Sequence, residues 1–264
     1  MRTQELLSLE GRRALITGGG RGLGRALAVG FAQAGADIVV VGRREDPLRG
    51  TQQMVRDEGR SADVVVGDIT VEADVQRIGA EAGHVDILIN NAAIFPYGDW
   101  ETVAPDVWAE VYRTNLHAPF RMAQLFGPPM VERGWGRIIN IASVYGSQGA
   151  KWHLYPEGWG PSSYFATKHG VHGITRYLAS RLAPHVTINS LSPGGIITPD
   201  HVANMDEKQR HRLSRSSEFA NAEIMMKRSG TGDDYIAPAV LLASPGGGYI
   251  TGQNLIVDGG WSAW

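Results

Sequence analysis

The sequence predicts an α/β fold: one doubly wound domain over residues 1–264, a parallel sheet of about seven strands with helices on both faces. Two observations carry the prediction. Short apolar runs rich in β-branched residues alternate along the chain with helical stretches, the pattern of a parallel sheet covered on both sides. A glycine-rich turn directly follows the first run and opens a helix, the order that nucleotide-binding units require.

Residues 14–17 form the first strand, residues 18–24 the glycine-rich turn, and residues 25–32 a helix that Gly35 ends. Further strands are expected at 36–41, 64–66, 85–89, 137–141, 186–191 and 254–258. The stretch from Asp68 to Asp86 is short, so the helix it carries is expected to be trimmed. No internal repeat, low-complexity tract or linker interrupts the alternation, which is why one domain is expected.

Composition narrows the functional classes. A net charge of −2 gives no reason to expect nucleic acid or an anionic membrane as partner. The absence of cysteine excludes disulfides, thiolate chemistry and Cys-ligated metal. Residues 1–7 lack an apolar signal core and no apolar run has the length of a membrane span, so a cytoplasmic protein is expected. His201 and His211 have no paired carboxylate motif and read as surface histidines; no metal is expected.

The turn reads Thr17-Gly18-x-x-x-Gly22-x-Gly24, with Arg21 and Leu23 inside it. Its glycines let backbone N–H groups approach a pyrophosphate, and the helix that follows aims its positive end at the same place. The Lys of an ATP-binding P-loop is missing, which favours a dinucleotide. A carboxylate that grips a ribose 2′-hydroxyl is expected about 20 residues on. Gly42, Arg43 and Arg44 stand there instead, and two guanidiniums suit a 2′-phosphate, so NADP(H) is expected over NAD. Arg21 can add a further cation. Asp68 and Ile69 follow the third strand, where Asp68 can meet an adenine amino group or serve as a helix N-cap.

Tyr164 and Lys168 lie four residues apart and share one helix face. A free Tyr titrates near ~10, and a cation within about 4–6 Å lowers that value. The pair is therefore expected to give a Tyr that exchanges a proton with a substrate hydroxyl near neutral pH. Tyr177 and Arg181 repeat the spacing, but Arg does not trade its proton.

With both ends of this pattern in place, the chain resembles the short-chain dehydrogenase/reductase family, whose fold is of Rossmann type, over roughly residues 9–262. Asn90, Asn91, Ala92 and Ala93 match its Asn-Asn-Ala-Gly segment, with Ala93 in place of the usual Gly. Asn115, Ser143, Tyr164 and Lys168 match its catalytic tetrad. Pro193, Gly194, Ile196 and Thr198 match the segment that flanks the nicotinamide, with Thr198 at its amide. The resemblance implies hydride transfer between the nicotinamide and a secondary alcohol or ketone. Tyr164 is then the acid or base, Lys168 lowers its pKa and holds the nicotinamide ribose, Ser143 binds the substrate oxygen, and Asn115 holds a water relay that passes the proton onward. It also implies a homo-oligomer, a tetramer or dimer, paired through the helices that carry Asn115 and Tyr164.

Two features depart from the family. Ser143 and Tyr164 are farther apart than usual, and the extra length falls in residues 149–161. There Trp152, Tyr155 and Trp159 are expected to line the substrate pocket, with Lys151, His153 or Glu157 offering hydrogen bonds; a subunit contact is the competing use. Residues 199–228 occupy the position of the substrate lid, and their polar composition favours a hydroxylated or anionic small molecule such as a sugar, sugar acid, polyol or cyclitol. The alternatives are a 3-oxoacyl thioester (acyl-carrier) reductase and, in another class, a cofactor-sensing binding protein without catalysis.

Overall fold

The computed structural model describes residues 2–96, 100–149, 162–203, 207 and 221–263. After a short helix α1 (Thr3–Leu6) the chain runs β1 (Arg13–Thr17), α2 (Gly22–Gln33), β2 (Asp37–Gly42), α3 (Glu45–Asp57) and β3 (Ala62–Val66). It continues through α4 (Glu72–Ala82), β4 (Ile87–Asn90), α5 (Pro105–Tyr112), a π-helical turn (Arg113–His117), α6 (Ala118–Glu132) and β5 (Gly136–Ile141). A 3₁₀ turn (Val144–Gly146), α7 (Ser162–Leu182), β6 (Val186–Pro193), α8 (Pro199–Ala203), α9 (Asp233–Ala243), a second 3₁₀ turn (Pro245–Gly247) and β7 (Asn254–Val257) complete the described elements.

All seven expected strands are present, in the order β3-β2-β1-β4-β5-β6-β7 and all parallel. The chain builds outward from β1 to β3 and then returns to place β4 on the other side of β1. That reversal opens a crevice beyond the C-terminal ends of β1 and β4, the place where ligands bind in such sheets.

The two-residue period of the strands splits the interior in two. On one face Ala14, Ile16, Ile38, Val40 and Ile89 pack with Leu27 and Phe31 of α2 and with Tyr235 and Ala239 of α9. On the other face Leu15, Val39, Leu88, Ile138 and Ile188 pack with Ile78 of α4, Met122 and Phe126 of α6, and Leu178 of α7. Among the described residues no helix is long and apolar enough to cross a membrane.

Element ends differ from expectation for local reasons. α2 begins at Gly22, because the turn itself supplies the first helical residues. α4 has 11 residues despite the short stretch available to it. β7 stops at Val257 because Asp258 turns the chain, its carboxylate accepting from the N–H groups of Gly260 (2.9 Å) and Ser262 (2.8 Å).

A polar chain runs through the buried centre. Asn90 Nδ2 donates to Asn140 Oδ1 (2.8 Å), Asn140 Nδ2 to Thr175 Oγ1 (2.9 Å), and Thr175 pairs with Ser190 Oγ (3.0 Å). It ties β4, β5, β6 and α7 together where all four residues are buried. Asn140→Ala removes one bond from Asn90, which keeps its longer one to the Pro119 carbonyl (3.3 Å), and one from Thr175, which keeps Ser190 (3.0 Å); two lost bonds of about 0.5–1.5 kcal/mol each amount to roughly 1–3 kcal/mol. Chemical denaturation of this variant is expected to show a loss of that size; unchanged stability would show that the chain has no share in holding the sheet.

Candidate active site

The glycine turn closes on itself so tightly that side chains have no room. Gly18 and Gly22 have φ of 66° and 57°, in the left-handed region that favours glycine. A Cβ at Gly24 would collide with the Gly18 carbonyl oxygen. Thr17, fully buried, fastens the turn to the end of β4: its hydroxyl accepts from the N–H groups of Asn91 (3.0 Å) and Ala92 (3.1 Å). Asn91 Nδ2 answers by donating to the Thr17 carbonyl (2.9 Å).

The crevice holds a cavity of about 740 Å³. Gly18, Arg21, Gly22, Leu23 and Gly24 line one side, Arg43, Arg44, Asp68 and Ile69 the far end, and Asn91, Ala92 and Ala93 the floor. Sequence reasoning thus named most of its wall. Val41, Pro47, Leu48, Gly67, Thr70, Ile94, Glu110, Arg113 and Thr114 also line it, although no motif points to them, because contacts that loops and helix ends make across the crevice leave no spacing signal. The residues present fit a dinucleotide: a carboxylate, that of Asp200, already accepts a hydrogen bond from the Gly22 N–H (3.0 Å), so the turn binds an anion as built. Asp68 accepts from the Thr70 N–H (2.9 Å) and hydroxyl (2.7 Å) and lies 3.9 Å from Arg43. It is not the N-cap of α4, a position taken by Val71.

Ser143 ends the β5 side of the cleft and is buried. Its hydroxyl accepts from the Tyr145 N–H (3.2 Å), capping the 3₁₀ turn, and acts on the Tyr164 phenol in favour of its ionised form. α7 carries Tyr164 and, one turn on, Lys168, whose ammonium nitrogen lies 5.4 Å from the Tyr164 ring centre and donates to the Ile141 carbonyl (2.7 Å). Phe95 meets the Tyr164 ring edge-on at 4.7 Å, a contact with no sequence signal. Asn115 sits in the π-helical turn, and its amide is spent on one residue's backbone: Oδ1 accepts from the Ile94 N–H (2.9 Å) and Nδ2 donates to the Ile94 carbonyl (2.9 Å).

In the cofactor-free chain the Tyr164 shift runs opposite to the expected lowering. Desolvation pushes the phenol up to about 12, partly offset by the Ser143 hydrogen bond. Burial also brings Lys168 down to about 7, so near neutral pH its charge is itself unstable and offers the phenol little support.

The segment after β6 is pinned on both sides. Gly194 donates to the Val257 carbonyl (3.0 Å), and Ile196 pairs with Gly230. Pro193 and Thr198 are buried, and Thr198 Oγ1 lies 3.7 Å from where a Gly22 side chain would begin. Trp152, Tyr155 and Trp159, with all of 150–161, lie outside the described residues, as do 204–206 and 208–220 of the expected lid.

Comparison with known proteins agrees with this architecture. The model of the short chain dehydrogenase family matches residues 12–210. The 2-dehydro-3-deoxy-D-gluconate 5-dehydrogenase of Bacillus subtilis (strain 168) is 36% identical over 261 residues, 97% of each chain. The 3-oxoacyl (acyl-carrier-protein) reductase of Vibrio harveyi is 33% identical over 256 residues, 96% of this chain and 98% of that one. The crystal structure of a gluconate 5-dehydrogenase from Burkholderia cenocepacia J2315, in complex with NADP and tartrate, superposes with a TM-score of 0.86 at 34% identity, covering 100% of both chains. With its glycine turn, its seven parallel strands and its Ser143, Tyr164 and Lys168 at one cleft, the chain belongs to the short chain dehydrogenase family.

Proposed function

We propose that this chain is an NADP(H)-dependent oxidoreductase that interconverts a secondary alcohol and a ketone on a sugar acid. The observation that carries the reading is the convergence of Ser143 and Tyr164 at one cleft, where Ser143 favours the Tyr164 phenolate, with Lys168 one helical turn along α7. Intact, these residues weigh against a sensor without catalysis. Arg43 and Arg44, which stand after β2 in the place where a 2′-hydroxyl-binding carboxylate is expected, support NADP, and the Burkholderia relative was crystallised with it. Relatives named for gluconate and 2-dehydro-3-deoxy-D-gluconate support a sugar acid.

Bound in the crevice, the cofactor supplies the hydride in reduction and takes it in oxidation. Tyr164 gives its proton to the substrate oxygen in reduction and takes it back in oxidation. Its high pKa in the free chain makes it a reluctant acid, so the Ser143 hydroxyl, which already favours the phenolate, shares that burden. Lys168 titrates near 7 and is therefore able to take up or release a proton at working pH. Asn115 anchors the segment after β4 through Ile94. Its side-chain amide is spent on that anchor.

Trp108 and Tyr112 of α5 and Tyr177 of α7 expose 41%, 49% and 60% of their surface. Large aromatics on the helices that flank Asn115 and carry Tyr164 support a homo-oligomer, tetramer or dimer, formed through them.

The reading is tested by initial rates with NADPH on keto-acids of the gluconate series against 3-oxoacyl thioesters. Turnover of the sugar acids is expected, falling on the order of 10²–10⁴-fold in Tyr164→Phe. Preferential turnover of the thioesters, the chemistry of the Vibrio relative's name, would replace the substrate class.

The shifts of this pair also fix a pH dependence of stability. Lys168 in the unfolded chain holds its proton up to its ordinary value of 10.5, but in the folded chain only up to about 7. Between these values the unfolded state binds more protons, so stability rises with pH and is lost as pH falls toward 7. Tyr164 acts the opposite way from 10 to about 12, where the folded state holds the extra proton. The cofactor-free chain is expected to gain thermal stability from pH 7 toward 10, and Lys168→Met to flatten that rise. A variant that keeps the full slope would place its origin elsewhere.

A further inference from the structure

Two donors of the glycine turn converge on a single group. The Gly22 N–H, at the first turn of α2, donates to one carboxylate oxygen of Asp200 (3.0 Å), and Arg25 Nη1 donates to the other (2.9 Å). Asp200 comes from α8, 178 residues away from Gly22 in sequence. Arg25 is held for this task. Its Nη2 donates to the Gly20 carbonyl and its Nε to Thr51 Oγ1 (3.2 Å), while Thr51, fully buried, donates to the Gly19 carbonyl (2.9 Å). The guanidinium is thus built into the turn rather than swinging free of it. Both bonds to Asp200 are charge-assisted, and the helix end adds its own preference for an anion.

We propose that Asp200 is an internal occupant of a phosphate seat formed by the Gly22 N–H and Arg25: it closes the seat in the free chain and yields it to the pyrophosphate of the cofactor. The inference rests on the reading of this turn as the place where NADP phosphates bind. Two anions do not share one N–H and one guanidinium, so the docked α8 and the bound pyrophosphate exclude each other. The closed fraction then lowers the apparent affinity for the cofactor in proportion, a tax that removing the carboxylate lifts. Arg25, which no motif singles out, becomes a phosphate ligand, and Asp200 a residue that sets cofactor affinity without touching the cofactor.

The experiment titrates wild type, Asp200→Asn and Asp200→Ala with NADPH and, separately, with inorganic pyrophosphate, and follows hydrogen exchange of residues 18–25 and 199–203. Asp200→Ala is expected to bind both probes about tenfold more tightly, with Asp200→Asn between the two. In the wild type NADPH is expected to raise exchange across 199–203 while 18–25 stay protected. Unchanged or weaker binding of both probes in the two variants would overturn the proposal, since Asp200 would then support the turn rather than compete for it. Tighter pyrophosphate binding in Asp200→Ala, with no NADPH binding by any form, would uphold the seat and overturn the cofactor reading instead.

Discussion

Thr17 and Asn91 hold the site open at the point where the sheet changes direction. Parallel strands leave β1 and β4 side by side with their chains departing to opposite sides, and nothing in the ladder itself fixes the two loops that follow. The Thr17 hydroxyl, accepting from Asn91 and Ala92, and the Asn91 amide, returning a bond to the Thr17 carbonyl, make that connection. The threonine is fully buried, where each lost bond carries a desolvation cost. Because Gly18 begins the turn directly after Thr17 and Ile94 lies two residues beyond Ala92, this clasp also sets the distance between the phosphate turn and the Asn115 anchor.

On the other side of the cleft, folding works against chemistry. Packing α7 onto the 3₁₀ turn after β5 buries Lys168 beside the Ile141 carbonyl and desolvates the Tyr164 phenol. Each shift favours the neutral form of its group, so the free chain lodges a neutral phenol beside a lysine with a weakened hold on its proton. On the proposed reading that arrangement suits a group required to pass protons both ways. A permanently charged lysine would fix the phenolate and favour the oxidation direction alone. Poise near 7 instead lets the pair follow the protonation state of what binds.

How far the sequence reveals this follows from the range of the interactions. All seven strands are legible, since apolar β-branched runs and the helices between them are local signals. The glycine turn is legible because positive φ at Gly18 and Gly22, and the close approach at Gly24, leave only one residue type. Tyr164 and Lys168 are legible as a spacing on one helix, but the direction of the Tyr164 shift in the free chain is not. Spacing reports which groups are near, and burial, set by the 3₁₀ turn and β5, decides which form is favoured. The Asn115 amide bonds to Ile94 across 21 residues, and Asp200 meets Gly22 across 178. Contacts of that kind exist only once the topology has brought strand ends together.

Charge in the crevice shows the same limit and what it means for binding. A net charge of −2 gives no hint of a site for a polyanion. The cations are nonetheless there, Arg21, Arg43, Arg44 and Arg113 lining the cavity. Arg43 has Asp68 at 3.9 Å, and Arg25, beside the glycine turn, has Asp200 at 2.9 Å. These two pairs differ in what an incoming phosphate must overcome. Arg43 exposes 68% of its side chain and its pair is long, so solvent already screens most of the attraction and exchange for a phosphate costs little. Arg25 exposes 24% and is braced by Gly20 and Thr51, so its partner is held by short charge-assisted bonds in a less screened place. The end of the crevice expected to take the 2′-phosphate is therefore the ready one, and the glycine turn is where affinity is set.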